Sequence, residues 1–220
     1  MCDPRFLQPN AFVDSDHPAI VAYAMRIGGG LPPREAAVAL YLDVRDRLRY
    51  NPWRVGMQRA DFTASGVLLR NAEEGGHCID KANLLAASCR ALGIPSRLHY
   101  ANVRNHVGTA ELERYLGTDL LVFHGYTELR LNGRWIAATP AFNRELCEHL
   151  GVAPLEFDGE NDSIFQAFDS SGARFMEYVE DHGSHADVPF DQMIAQWRLH
   201  YPHIIAAGQW PGRPGRASLV

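Results

Sequence analysis

The chain has 220 residues, 46% of them hydrophobic and 10% aromatic, which suffices for one packed domain. A formal net charge of −5 gives no basis for a polyanionic partner. The four cysteines, Cys2, Cys78, Cys89 and Cys147, show no C-x-x-C spacing, which excludes a zinc knuckle and a thioredoxin-type motif and fits a reducing compartment.

In chain order, a short helical stretch near Pro18–Arg26 leads into the connector Gly28-Gly29-Gly30-Leu31-Pro32-Pro33. Val38, Leu42, Val44 and Leu48 recur at roughly helical intervals over Arg34–Arg49, and that helix ends before Pro52. The clearest helical pattern is Cys78–Leu92, where Ala82, Leu85, Ala86, Cys89 and Leu92 share one face. Gly93 and Pro95 stop it. This helix is expected to be central and buried. Arg97–Val103 reads as a strand and Thr109–Leu116 as a short helix. Leu120–Leu131 and Arg134–Ala138 read as strands joined by Asn132-Gly133, the strongest short hairpin signal. Asp158-Gly159 and Asp169 read as turns. Phe190–Tyr201 reads as an amphipathic helix through Met193, Ile194, Trp197 and Tyr201. A helix followed by a β-meander argues an α+β fold. Residues 1–207 are expected to form one domain with its core at about 41–143, and 208–220 a mobile, Pro- and Gly-rich tail. No signal peptide and no membrane-spanning apolar run is legible, so the expected setting is the cytoplasm, with neither membrane nor nucleic acid as partner.

The stretch Glu74-Gly75-Gly76-His77-Cys78-Ile79-Asp80-Lys81-Ala82-Asn83-Leu84-Leu85 reads as a glycine loop that delivers a cysteine to the first turn of the central helix. Gly75 and Gly76 can take φ > 0 and allow close backbone approach. A helix N-terminus favours negative charge, and the thiolate is the reactive form of cysteine, so Cys78 is the candidate nucleophile. His77 is expected as a solvated loop residue. Buried structural cysteines are commoner than reactive ones, and Cys89 is assigned to packing. It lies roughly 16 Å from Cys78 along the helix axis, too far for a disulfide.

The hairpin supplies a partner. With Asn132-Gly133 as a two-residue turn, Leu131 faces Arg134, and His124 extrapolates to face Ala141. Thr139 and Asn143 are then the diagonal neighbours of His124, with Tyr126 and Glu128 on the same face. A catalytic imidazole needs its second nitrogen held by an acceptor, which Thr139 or Asn143 could provide. Glu128 is roughly 13 Å along the strand and out of reach. Pro140 threatens the strand before Asn143, which favours Thr139.

These residues carry a resemblance. Gly76-His77-Cys78-Ile79-Asp80-Lys81-Ala82-Asn83-Leu84-Leu85, with Leu92-Gly93-Ile94-Pro95-Ser96-Arg97, resembles the core of the transglutaminase-like superfamily. So does His124-Gly125-Tyr126-Thr127-Glu128-Leu129-Arg130-Leu131-Asn132-Gly133-Arg134-Trp135, continuing to Thr139-Pro140. The resemblance implies a papain-like α+β core, with a nucleophile-bearing helix packed on an antiparallel sheet, and thioester acyl transfer on amides without a cofactor. By position it makes Cys78 the nucleophile and His124 the base. At the position of the family's Asp this chain has Thr139, a hydroxyl that can accept from the imidazole but carries no charge to stabilise an imidazolium. The expected substrate is a peptide or small amide, and hydrolysis the expected outcome, since water competes for any thioester. The alternatives are a non-catalytic peptide-binding module with a degenerate triad, and an arylamine N-acetyltransferase-like acyltransferase.

Other residues weigh less. Tyr50 and Trp53 precede the cysteine loop and could give an oxyanion donor beside the Cys78 N–H. His106 could line a cleft. Asp181-His182-Gly183-Ser184-His185-Ala186-Asp187 has metal-ligand residue types, but its spacing matches no standard zinc pattern and it sits among turn formers. No metal is expected.

Overall fold

A computed structural model describes residues 3–70, 74–106, 110–165 and 176–206. Cys2, Thr109, Asp169 and the expected tail lie outside the described residues. Helices α1 (Pro18–Gly28) and α2 (Pro33–Arg47) each start at a proline, whose fixed φ and missing N–H suit a first helical position. A short α3 (Ala64–Leu69) follows, and all three pack on α4 (Cys78–Ala91).

The sequence pattern suggested one buried face for α4, yet every residue from Ile79 to Arg90 is buried. A helix enclosed on all sides must satisfy its polar side chains internally. Asn83 Nδ2 donates to the carbonyls of Phe12 and Phe62 at 3.0 and 2.7 Å. Lys81 Nζ donates to those of Arg45 and Leu48 at 2.8 and 2.6 Å, tying α4 to the end of α2. Burial pushes the Lys81 ammonium down to about 7. Two hydrogens are enough for its two carbonyls, so the neutral amine fits this site as well as the cation does.

The chain continues through β1 (Ser96–Asn105), α5 (Ala110–Leu116), β2 (Leu120–Leu131), β3 (Arg134–Ala138), α6 (Arg144–Leu150), β4 (Met176–His185), α7 (Phe190–His200) and α8 (Pro202–Ala206). The sheet is antiparallel with order β3-β2-β1-β4, and α4 packs on β1 and β2, giving the expected α+β architecture. Thr127 Oγ1 donates to the Ala82 carbonyl at 2.7 Å and fixes β2 against α4.

The hairpin register is the derived one, from Leu131 opposite Arg134 to Thr127 opposite Ala138. Asn132 (φ 49°) and Gly133 (φ 80°) are the two positive-φ residues its turn requires. The extrapolation beyond Ala138 does not hold. There β3 leaves β2: the last pair is Thr127 with Ala138, and the Thr139 N–H donates to the Ser163 carbonyl at 2.9 Å, so Ala141 is not paired with His124, which on its other side lies opposite Ala101 of β1. The stretch read as turn formers also differs: Asp181–His185 belongs to edge strand β4, paired with β1. Local composition disfavours a strand there, and long-range pairing overrides it.

Candidate active site

Gly75 has φ 65°, and a Cβ there would stand 2.4 Å from the Arg49 carbonyl oxygen. That closeness allows the Gly76 N–H to reach Arg49 O at 2.9 Å and the Asn51 N–H to reach Gly76 O at 3.0 Å. The residue between, Tyr50, is thereby bridged to the loop that carries the cysteine.

His77 is not the solvated residue expected. It is 5% exposed and caps α4, its Nδ1 accepting from the Ile79 N–H at 3.2 Å. Asp80 Oδ2 accepts the His77 N–H in return at 3.2 Å, and Arg70 holds that carboxylate at 2.8 Å. This is a capping box with an imidazole in place of the usual hydroxyl. It explains why the histidine directly before Cys78 is drawn inward.

Cys78 is partly exposed and shares with Tyr50, His77 and His124 the lining of a cavity of about 70 Å³. Burial pushes its thiol up to about 11, against the backbone N–H groups of Gly125 and Ile79, which interact with the sulfur. The helix terminus therefore does not make a resting thiolate, because desolvation outweighs it. Burial likewise pushes His124 down to about 4. The resting pair is thus neutral thiol and neutral imidazole. Proton transfer from the thiol to the imidazole is therefore uphill in the resting site.

Thr139 Oγ1 and His124 Nε2 are both buried without a hydrogen-bond partner among the described residues. No carboxylate among those residues is hydrogen-bonded to His124, whose ring packs 6.0 Å from that of Phe165. Asn143 is engaged elsewhere, its Oδ1 accepting the Tyr50 N–H at 3.0 Å. Tyr50 lines the cavity, and burial together with nearby Cys78 holds its phenol well above its ordinary value, so it stays a neutral donor. Trp53 is not part of the described lining; it packs edge-on to Tyr115 at 5.3 Å. His106 is outside the described lining too, 3.7 Å from Glu177. Among Asp181–Asp187, His182 Nε2 meets Asn102 Oδ1 at 2.9 Å, His185 Nε2 meets the His182 carbonyl at 3.0 Å, and Asp187 accepts the Phe12 and Val13 N–H groups. No group of three potential metal ligands occurs among the described residues.

Sequence reasoning missed the device that delivers His124. Val122 and Phe123 of β2 stand against Asn102 alone, a bulge in which Phe123 takes φ 63°. Such a conformation in a bulky residue persists only when its surroundings hold it. Asn102 does so: its Oδ1 accepts the Phe123 N–H at 3.0 Å, and its Nδ2 donates to Glu180 at 2.7 Å. His182 stacks on the Phe123 ring at 4.2 Å. On the other side Trp197 Nε1 donates to the Val122 carbonyl at 3.0 Å, and Tyr201 Oη accepts the Val122 N–H at 2.7 Å. A phenylalanine at positive φ has no sequence signature, so nothing marked these residues in advance.

Acid should reveal the neutral imidazole. The unfolded chain takes up the His124 proton near 6.5 and the folded chain near 4, so the unfolded state binds more protons between these values. Stability contributed by this group is present above pH 6.5 and falls by about 3 kcal/mol as pH drops to 4. Denaturant midpoints of the wild type and His124→Gln, compared from pH 7 to 4, should show the variant losing less by about that amount. Parallel curves would mean that His124 is not held neutral.

No curated protein matches the chain. Two solved structures resemble it: a protein from Cytophaga hutchinsonii described as a candidate cysteine protease (19% identity, TM-score 0.46, 82% of this chain and 53% of that one) and an arylamine N-acetyltransferase from Mycobacterium abscessus (16%, 0.42, 61% and 46%). The matched region is about half the length of either. No membrane-length apolar helix occurs among the described residues. The model of the transglutaminase-like superfamily matches residues 21–140, beginning earlier than the expected core and taking in most of α1 and all of α2, which pack on α4. With its helix-borne cysteine and strand-borne histidine inside that match, the chain belongs to the transglutaminase-like superfamily.

Proposed function

We propose that this is a cysteine-dependent amidase or peptidase acting through a thioester, formed by one domain over residues 1–207 in the cytoplasm. The observation that carries the reading is that Cys78, on α4, and His124, on β2, line one cavity, with the Gly125 N–H on the sulfur. Because the resting pair is neutral, His124 takes the thiol proton as Sγ attacks the amide carbonyl, not before. The C–N bond then breaks, the proton passes from His124 to the leaving amine, and a thioester remains on Cys78. Water attacks that thioester with His124 as base, releasing a carboxylic acid and restoring the thiol. The Cys78 N–H and the neutral Tyr50 hydroxyl are the oxyanion donors in this reading. Thr139 Oγ1 accepts from His124 Nε2 once the substrate orders the pair, which matches the unpartnered state of both buried atoms.

Hydroxylamine tests the thioester. Wild type incubated with an acyl-amide library should form acyl hydroxamates, and intact-mass analysis should place the acyl group on Cys78. Cys78→Ala should form neither. A second reading, a peptide-binding module, draws on the absent carboxylate at position 139. Tight amide binding with no acyl adduct at Cys78 would favour it and reject the enzyme.

A further inference from the structure

The walls of the Cys78 cavity hold a second kind of information. Among the described residues that line it there is no Asp, Glu, Lys or Arg. Beyond Cys78, His77, His124 and Tyr50, the lining is aliphatic or aromatic, including Val55 from the loop after α2, Leu112 and Leu116 from α5, and Leu121 and Val122 from β2. The polar atoms of the two aromatic residues from the C-terminal helices are committed to backbone: Trp197 Nε1 to the Val122 carbonyl, Tyr201 Oη to the Leu120 carbonyl at 2.8 Å. A charged group entering here would lose its hydration and find no counter-charge among the described lining residues. The volume of about 70 Å³ is half of the roughly 150 Å³ in which an apolar cavity takes up benzene.

We infer that the cavity is an acyl pocket for short aliphatic groups, and that the substrates are amides whose acyl chain carries about three carbons beyond the carbonyl. This rests on the thioester reading above, because it gives the pocket its role. Butyramide and isobutyramide fill it. Succinamate and 4-aminobutyramide have a similar reach but bring a carboxylate or an ammonium into an uncharged wall. Each methylene buried in such a wall is worth about a four-fold gain in binding.

Two measurements on the full chain separate the pocket from the chemistry. The first is protection of Cys78 from iodoacetamide at pH 9 by each of these amides, with acetamide as the short reference. Butyramide should protect at concentrations at least ten-fold lower than acetamide, succinamate or 4-aminobutyramide. Equal protection by all four, or better protection by a charged amide, overturns the inference. The second introduces a cation at the mouth through the partly exposed Val55 or Leu121. Val55→Arg, with Leu121→Arg as an independent variant, should reverse the order of butyramide and succinamate. Retained butyramide preference in both folded variants would also overturn it. The 4-nitroanilides of butyric and succinic acid then report on the reaction. Selective protection with no nitroaniline release rejects the thioester reading while leaving the pocket assignment standing. Release from the succinyl compound at an equal rate rejects the acyl preference alone.

Discussion

Thr139→Asp should raise the rate of Cys78 alkylation near pH 7 by about 10- to 1,000-fold. An opposite charge beside a titrating group moves its pKa by about 1–3. A carboxylate at this position would favour imidazolium at His124, and through it thiolate at Cys78. The starting point makes the effect large, because desolvation alone sets His124 at about 4. The site is buried, so the new carboxylate costs stability, and the variant should melt earlier. Thr139→Val should not accelerate alkylation. Asn143→Ala should disturb the Tyr50 backbone, whose N–H it holds, and leave the pH profile of Cys78 alone. Iodoacetamide rates for the three variants against pH make the comparison. If Asn143→Ala slows alkylation while both Thr139 changes are silent, the orienting role belongs to Asn143.

Asn102→Ala should lower kcat/KM by about 100-fold, with most of the loss in kcat. The side chain is not among the described residues that line the cavity; it positions the bulge from which His124 projects. Removing it leaves the Phe123 N–H without its acceptor and lets φ relax from 63°, and a displacement of about 1 Å at a catalytic group can cost about that factor. The lost hydrogen bonds should also cost about 1–3 kcal/mol of stability. Asn102→Asp keeps an acceptor for Phe123 but faces Glu180, so it should recover part of kcat while melting earlier. Wild-type kcat/KM in a folded Asn102→Ala would show that the bulge holds its shape unaided.

How far the sequence could be read depended on whether the decisive interaction was local. The Asn132-Gly133 turn determined the β2–β3 register residue by residue, because a two-residue turn leaves no freedom. Gly93 and Pro95 marked the end of α4, and the glycine loop before Cys78 was legible from the residues that allow close approach. Helix α6 was missed although Asn143 stands at its N-cap and Gly151, with φ 69°, at its C-terminus. Those local signals compete with the hairpin pattern, which extends β3 through them. Strand β4 was unreadable for a different reason. Asp181, Gly183 and Ser184 belong by composition to a turn, and only β1, about 80 residues earlier, makes them a strand. The neutral state of the Cys78–His124 pair was also hidden, since the helix end and histidine visible in the sequence argue for a thiolate while burial is a property of the finished fold.

The same edge strand bears on how copies of this protein meet. An open sheet edge invites a strand from another molecule, and long, flat, apolar edges aggregate most readily. Strand β4 has ten residues and exposes Tyr178 and Val179. It also carries Glu177, Glu180 and Asp181, and its pairing with β1 is interrupted between Tyr100 and Ala101 and again between Asn102 and Val103. The acidic side chains repel an identical edge, and the two interruptions keep the backbone groups from lying in one flat row. At the other side of the sheet β3 has only five residues, and Ser163 bridges its end at Ala138. Among the described residues both edges are therefore poor templates, and the β4 interruptions, separate from the β2 bulge that aims His124, help keep the sheet from recruiting further strands.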